Sequence, residues 1–347
     1  MIGVKEVSRS TARRPRQRDV AELAGVSRTT VSFVLNEVEN IAIPEETRQR
    51  VLRAAAELGF RPHAMARGLR GGRSNVLGLV TSDIVTTPYA VEIIKGAYDA
   101  AFARGLTLLI VDTGGSDTAE AEAVERLAEW RVDGLIFATE YHRQYTLSVA
   151  HSPAVLVNCF VDPVLDDGPA FPTILPDEVQ GGLVATQALL DAGHSRIGFI
   201  NGPAEFTPAH TGRLAGYRQA LELAGVGFDS SLVRIGDWWQ ESGARHTADL
   251  LALPDPPTAI FCGNDWMAMG AFDSIREAGL SIPGDVAVVG FDNRIEIADH
   301  MRPRLTTVAL PYRQMGGRAV EVLLDPELLA AAATELIACP LVQRSSV

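Results

Sequence analysis

Residues 19–36 read DVAELAGVSRTTVSFVLN, and their spacing decides how the rest of the chain is read. Val20, Leu23 and Ala24 recur at the i, i+3, i+4 interval that puts apolar side chains on one helix face. Gly25 follows, where a reversing chain needs a residue free of Cβ strain. Ser27 is placed to cap a second helix, because its hydroxyl can accept from an otherwise unpaired first-turn N–H. Val31, Val34 and Leu35 supply that helix's inner face, leaving Arg28, Thr29, Ser32 and Phe33 outward. Two short helices on a tight turn form a helix-turn-helix, the unit that lays its second helix in the DNA major groove. An αα-hairpin inside a helical core would have the same spacing, so the surroundings have to decide between the two.

Charge is the first of those surroundings. Through residue 74 the chain carries 14 Lys and Arg against 8 Asp and Glu, and beyond it 17 against 35. The net charge of −12 therefore combines a head at +6 with a body at −18. A basic head can approach phosphates that repel an acidic body. With 347 residues and 47% hydrophobic content, two to three domains with real cores are expected. No apolar run approaches the ~20 residues of a membrane span. The N-terminal MIGVKEVSRSTARRPRQ lacks the apolar stretch of a signal peptide, so a cytoplasmic location is expected. Cys159, Cys262 and Cys339 are too few and too scattered for a disulfide framework or a zinc site, and no metal or cofactor is expected.

Four segments follow from composition. Residues 1–17, with Arg9, Arg13, Arg14 and Arg16, read as a disordered basic tail. Residues 18–61 are the helix-turn-helix domain. Its third helix starts at Pro44-Glu45-Glu46, where acidic residues suit a helix N-terminus. That helix turns Val51, Ala54, Ala55 and Leu58 inward and stops at Gly59. Residues 62–75 are a short basic hinge helix or linker with Gly68, Gly71 and Gly72. Residues 76–347 form the body. There, helical patterns alternate with the apolar runs VLGLVTS, LTLLIVD, VDGLIFAT, AVLVNCF, RIGFING, TAIFCGND and VAVVGFDN. Continuous apolar runs between helices mean buried parallel strands in βαβ units. The pattern occurs twice, around residues 76–172 and 176–303, and predicts two α/β lobes of doubly wound parallel sheet. Ligands bind outside the carboxyl ends of such strands. The candidates are therefore Asp83, Asp112, Asn158, Asn264, Asp265, Asp292 and Asn293.

From about Arg18 onward the chain resembles the lac repressor (LacI/GalR) family of bacterial transcriptional regulators. The resemblance rests on an ordered set: DVAELAGVSRTTVSFVLN, PEETRQRVLRAAAELGFRPHAMARGLR, VLGLV, DGLIFA, LLDAGHSRIGFINGP, RLAGYRQAL, AIFCGNDWMAMGAF, GDVAVVGFDN and PRLTTVALP. It implies a homodimer whose heads read a palindromic operator and whose periplasmic-binding-protein-like body holds a small effector. It also implies three crossings between lobes, with lobe 1 at about 76–173 and 310–328 and lobe 2 at about 174–309 and 329–347. DNA contacts are implied at Ser27, Arg28, Thr29, Thr30, Ser32, Phe33 and Asn36. Phe33 stands where the family's namesake has an Arg, which removes a potential guanine contact. Leu69 matches the hinge leucine that wedges between base pairs, and Ala66 the small residue that lets the hinge sit close to the backbone. In the body, Arg213 and Asp292 match ligand-contacting positions, suited to gripping the hydroxyls of a sugar or related metabolite. Tyr89, Asn158, Trp238 and Asn264 complete the implied pocket. Leu310 replaces a Gln common in sugar-binding members.

Several of these residues have simpler readings. Asn264 and Asp292 could cap the helices that follow them. Of Trp238 and Trp239, one is expected to pack into the lobe. His194 reads as a turn residue, and Arg213 could belong to a surface ion pair.

Enzymes of the doubly wound class are disfavoured, because no dinucleotide, P-loop or nucleophile-elbow motif appears. A periplasmic solute-binding protein would need a signal peptide. The expected function is therefore a repressor whose operator affinity is switched by an effector. The alternatives are a co-repressed or activating regulator, or a body that docks a protein partner.

Overall fold

The computed structural model describes residues 15–35, 41–60, 73–82, 84–87, 90–144, 153–161, 170–204 and 207–347. They fall into two compact units, Met1–Ser74 and Asn75–Val347.

The first unit holds α1 (Gln17–Ala24), α2 (Arg28–Leu35) and α3 (Glu45–Glu57). Gly25 adopts φ 65° and closes α1, so that Val26 N–H donates to the Ala21 carbonyl at 3.1 Å. Ser27 Oγ then accepts from Thr30 N–H at 3.0 Å, the predicted cap of α2. Gly59, at φ 63°, ends α3, and Phe60 N–H returns to the Ala55 carbonyl at 2.8 Å. Four valines, Val20, Val31, Val34 and Val51, and four alanines, Ala21, Ala24, Ala54 and Ala55, make the buried core. Two expectations change here. Leu23 is 48% exposed, and Ala21 takes its place beside Val20 and Ala24. Ser32, expected outward, is 5% exposed and belongs to the buried side of α2. In helices of eight residues a face one position wider or narrower fits the same apolar spacing, and packing on α3 decides between them.

The second unit contains two six-stranded sheets. In chain order its elements begin with β1 (Val76–Ser82), α4 (Val91–Phe102), β2 (Thr107–Asp112), α5 (Asp117–Glu129), β3 (Gly134–Gln144), β4 (Ala154–Phe160) and β5 (Thr173–Pro176). Next come α6 (Glu178–Asp191), β6 (Ile197–Asn201), α7 (Thr207–Leu223), β7 (Val233–Ile235), α8 (Gln240–Leu251), β8 (Ala259–Cys262) and α9 (Asp265–Glu277). The chain finishes with β9 (Ala287–Asp292), α10 (Ile295–Ala298), β10 (Thr306–Ala309), α11 (Tyr312–Leu324), α12 (Pro326–Ala331), β11 (Thr334–Ile337) and β12 (Leu341–Val342). The strand orders are β11-β5-β4-β3-β1-β2 and β12-β10-β9-β8-β6-β7. Pairing is parallel throughout except between β10 and β12. The seven apolar runs read from the sequence are β1, β2, β3, β4, β6, β8 and β9. Each sheet is covered on both faces, which is why its central strands carry no polar alternation.

The chain passes between lobes three times: from β5 to α6, from β10 to α11 and from β11 to β12. The last passage corrects the expected boundary at 328. Thr334–Ile337 pairs with β5 in the first sheet, so that sheet is completed well beyond it. This four-residue strand buries only Ile337 and has no periodic signal. Leu310, on the second passage, packs against the cores of both lobes.

Three helix pairs approach until backbone meets backbone. A Cβ on Gly96 of α4 would strike the Arg313 carbonyl of α11, and one on Gly316 the Ile93 carbonyl. Gly182 of α6 and Gly216 of α7 stand likewise against the Arg213 and Val179 carbonyls. Gly243 of α8 and Gly270 of α9 meet the Met267 and Gln240 carbonyls. Cys159, Cys262 and Cys339 are buried free thiols. Among the described residues no helix is long and apolar enough to cross a membrane.

Candidate functional site

On the head, Arg28 and Thr29 open α2 with both side chains exposed. Thr30 and Phe33 are half-buried, and the Thr30 and Ser27 hydroxyls are hydrogen-bonded at 2.9 Å. The exposed edge of α2 thus presents a guanidinium and a hydroxyl beside the Ser27-capped helix N-terminus, where phosphate is favoured. Ser32 is turned into the head. Asn36, Ala66 and Leu69 lie outside the described residues, as do Asp83 and Tyr89 of the body.

In the body, the carboxyl ends of β3, β4, β8 and β9 and the starts of α6, α7 and α11 converge. Arg213, on α7, is 4% exposed. Its Nε and Nη2 donate to the two Glu178 oxygens at 2.7 and 3.1 Å. Its Nη1 donates to the Gly263 carbonyl, and Nη2 stands 4.0 Å from Asp292 Oδ1. The guanidinium lies over the Phe291 ring, 3.7 Å from its centroid, and 5.4 Å from that of Trp238. Trp238 is half-buried, packed where a Cβ on Gly202 or Gly263 would meet its ring, whereas Trp239 is 61% exposed. Trp238 is therefore the member of the pair that faces Arg213.

Asn158, at the end of β4, donates to the Thr139 and Glu140 carbonyls at 3.0 and 2.8 Å. Its amide is 3.4 Å from Tyr312 Oη, which itself donates to the Glu140 carbonyl at 3.1 Å. Asn264 caps α9 by accepting from Met267 N–H at 2.8 Å, and its amide donates to the Trp238 carbonyl at 3.0 Å. It holds the site together from behind. Seven described non-glycine residues have positive φ, and Asn158, Trp238 and Asp292 are three of them. Such backbone costs about 1–3 kcal/mol per residue and gathers where side chains must be aimed.

Electrostatics tie the two lobes to one centre. Burial raises the Asp292 carboxyl to about 6; Arg213 and Arg294 pull it down, while Glu178 and Glu140 push it further up. Tyr312, on the first lobe, has its phenol pushed well above its usual range by burial and by Asp292 and Glu178 of the second. Arg294 Nε lies 3.7 Å from Asp292 Oδ2. Beneath them Asp265 accepts from Thr307 Oγ1 at 2.6 Å and from Arg294 N–H at 2.7 Å, and burial moves its carboxyl far above the carboxylate range. Glu178, Glu140, Tyr312 and Phe291 were not foreseen. Asp112 is exposed, with Oδ1 accepting from Gly114 N–H at 2.9 Å, and Asn293 accepts from Arg344, so neither joins this centre. The arrangement offers a fixed guanidinium, an acidic acceptor and an indole face, a set that recognises hydroxyl-bearing rings.

Comparison with known proteins agrees with both halves. The family model described as bacterial regulatory proteins, lacI family, matches residues 18–63, and that of a periplasmic binding protein-like domain matches 186–347. The HTH-type transcriptional repressor PurR of Photobacterium profundum is 35% identical over 313 residues, 89% of this chain and 90% of that protein. The ribose operon repressor of Escherichia coli is 37% identical over 309 residues, 88% and 91%. Among solved structures, the lac repressor dimer bound to operator and the anti-inducer ONPF aligns with a TM-score of 0.77 at 29% identity, over 96% of this chain and 99% of that one.

Proposed function

We propose how this protein works from one premise: the chain belongs to the lacI family of bacterial regulatory proteins. It is a DNA-binding transcriptional repressor, not an enzyme, and a small-molecule effector switches its hold on operator DNA. As a homodimer it presents two heads to a two-fold symmetric operator. Arg28 and Thr29 read base edges, and Ser27, Thr30 and Phe33 support the approach. Leu69 and Ala66 form the minor-groove part of the contact, and Asn36 and Tyr89 complete the two sites.

The effector is a polyol such as a sugar, held between the lobes by Arg213 and Asp292 with Asn158, Trp238 and Asn264 around it. The observation that carries this reading is that Arg213, Asp292 and Trp238 gather in one lobe and Asn158 and Tyr312 in the other, near enough for the charges of Asp292, Glu178 and Arg213 to act on the Tyr312 phenol. A ligand touching both lobes changes their mutual angle, and in a dimer that changes the spacing of the heads. Effector binding then relieves repression. The coupling should amount to ~1–3 kcal/mol and must be reciprocal.

The test is operator affinity with and without an effector found by thermal-shift screening. A ligand at ~100 times its Kd adds roughly 2.7 kcal/mol of stability and is readily detected. The wild type should show the two affinities separated, and Arg213→Ala or Asp292→Ala should collapse their ratio to one. A variant that keeps the full ratio places the pocket elsewhere. On the head, Arg28→Ala should relax preference at one symmetric base pair by ~1–3 kcal/mol. An unchanged preferred site in that variant removes Arg28 from the reading surface.

A further inference from the structure

The guanidinium in the cleft is already taken. Of its five N–H groups, Nε–H and one on Nη2 are given to Glu178 at 2.7 and 3.1 Å, and one on Nη1 to the Gly263 carbonyl. The Nε–Nη2 edge is one of those that clamp a phosphate or carboxylate through two parallel hydrogen bonds. Here a carboxylate of the protein itself fills that edge. On the remaining side, Asp292 Oδ1 stands 4.0 Å from Nη2, and Phe291 covers a face of the ion. Glu178 and Arg213 are 6% and 5% exposed at their side chains, so water does not loosen the pair. Nor can Glu178 easily withdraw. It is the first residue of α6, the Gly212 Cα of α7 stands against its Cβ, and Gly182 and Gly216 press the two helices together.

The charge around the guanidinium points the same way. Arg213 and Arg294 face Glu178, Asp292 and Glu140, which leaves one negative charge in excess. Asp265 below them brings no positive charge to offset this; burial pushes its carboxyl well above the usual carboxylate range. An anion entering would meet the carboxylates of Glu178, Asp292 and Glu140 and find the Nε–Nη2 fork closed. A hydroxyl meets a different site: single N–H groups left on Nη1 and Nη2 to donate, and Asp292 to accept.

We propose that Glu178 is the specificity-determining residue of the cleft: by occupying the fork of Arg213 it makes the site refuse phosphate esters and other anions and admit uncharged polyols. The proposal rests on reading the cleft as the effector site and narrows the ligand class of that site.

The experiment uses inorganic phosphate as the probe. Full-length wild type and Glu178→Gln are melted in phosphate and in chloride at equal ionic strength. The wild type should melt at the same temperature in both. Glu178→Gln, with its fork released and one carboxylate neutralised, should melt roughly 2–4 °C higher in phosphate. A phosphate-specific rise in the wild type that Arg213→Lys removes would overturn the proposal, and so would a Glu178→Gln that gains nothing. Should Glu178→Gln fail to fold, the wild-type arm still decides, together with paired ligands. For any polyol that stabilises the wild type, its phosphate ester should bind at least about tenfold weaker, a gap of 1.4 kcal/mol, and equal or tighter binding of the ester overturns the assignment. Operator binding measured on the same samples keeps the outcomes apart, because loss of operator recognition contradicts the regulatory reading and leaves the charge rule untouched.

Discussion

Asp292 illustrates what one residue does in this cleft and how to test it. Burial raises its carboxyl to about 6 against the pull of two guanidinium groups. Because this folded value lies above the ordinary carboxylate one, its contribution to stability is present at low pH and is lost as pH rises through about 6. On the proposed role of Asp292, ligand binding is expected to run in the opposite direction. The ionised carboxylate accepts from hydroxyls at both oxygens, and the protonated one does not. Effector affinity should therefore fall as pH drops through about 6, read by calorimetric titration. Asp292→Asn should flatten that dependence, and a slope that persists in the variant belongs to another group. Arg213 and Asp292 were legible in the sequence because each stands in a recognisable stretch, RLAGYR and GFDN. Glu178 was not. A Glu in the first turn of a helix reads as a partner of the helix dipole, and nothing local says that it reaches an arginine on the next helix. Trp238 could not be told from Trp239 by pattern, since only the packing on Gly202 and Gly263 separates them.

Elements are held by small residues in specific places. Among the described residues the fully buried core of the head is four valines and four alanines, flanked by Val26, Leu35, Ile43, Leu58 and Phe60, so local terms weigh heavily in whether α2 forms. Ser27→Ala should cost about 1 kcal/mol of helix stability by orphaning the Thr30 N–H. Hydrogen exchange in the full-length protein should then quicken roughly fivefold at the first amides of α2, and unchanged exchange would mean that water replaces the cap. In the body, Gly216→Ala would drive a methyl into the Val179 carbonyl. The expected loss is about 1–3 kcal/mol in urea unfolding, with weaker effector binding because Glu178 and Arg213 ride on the separated helices. Gly227→Ala is the control: nothing lies within 4 Å of its added methyl, and it should change stability by less than about 0.5 kcal/mol. The long central strands were readable as unbroken apolar runs. β5, β7, β10, β11 and β12 have four residues or fewer and, unlike the equally short β8, lie in no unbroken apolar run, so they gain their strand character from the neighbour they pair with, which a linear pattern does not contain.

For the whole molecule, the division into a basic head and an acidic body was visible in charge alone, and the two lobes in the repeat of strand and helix. The route of the chain between the lobes was less so, and its third passage lies after Ile337 rather than at 328. That passage makes the first lobe depend on the far end of the chain. Ending the protein after residue 333 would remove β11 and expose the edge of β5, an open invitation to aggregation. The truncated body should precipitate or bind a hydrophobic dye while the head keeps its helical signal, and a soluble, cooperatively melting product would refute that dependence. The same pairing has a consequence during synthesis. At ribosomal speeds of about 5–20 residues per second, roughly 8–30 s separate the appearance of Thr173 from that of Thr334. The head can be finished and competent for phosphate long before the lobe that must govern it has its last strand. A nascent chain passes through an interval of ungoverned DNA affinity, and chaperone cover over β5 would be needed until translation is almost done.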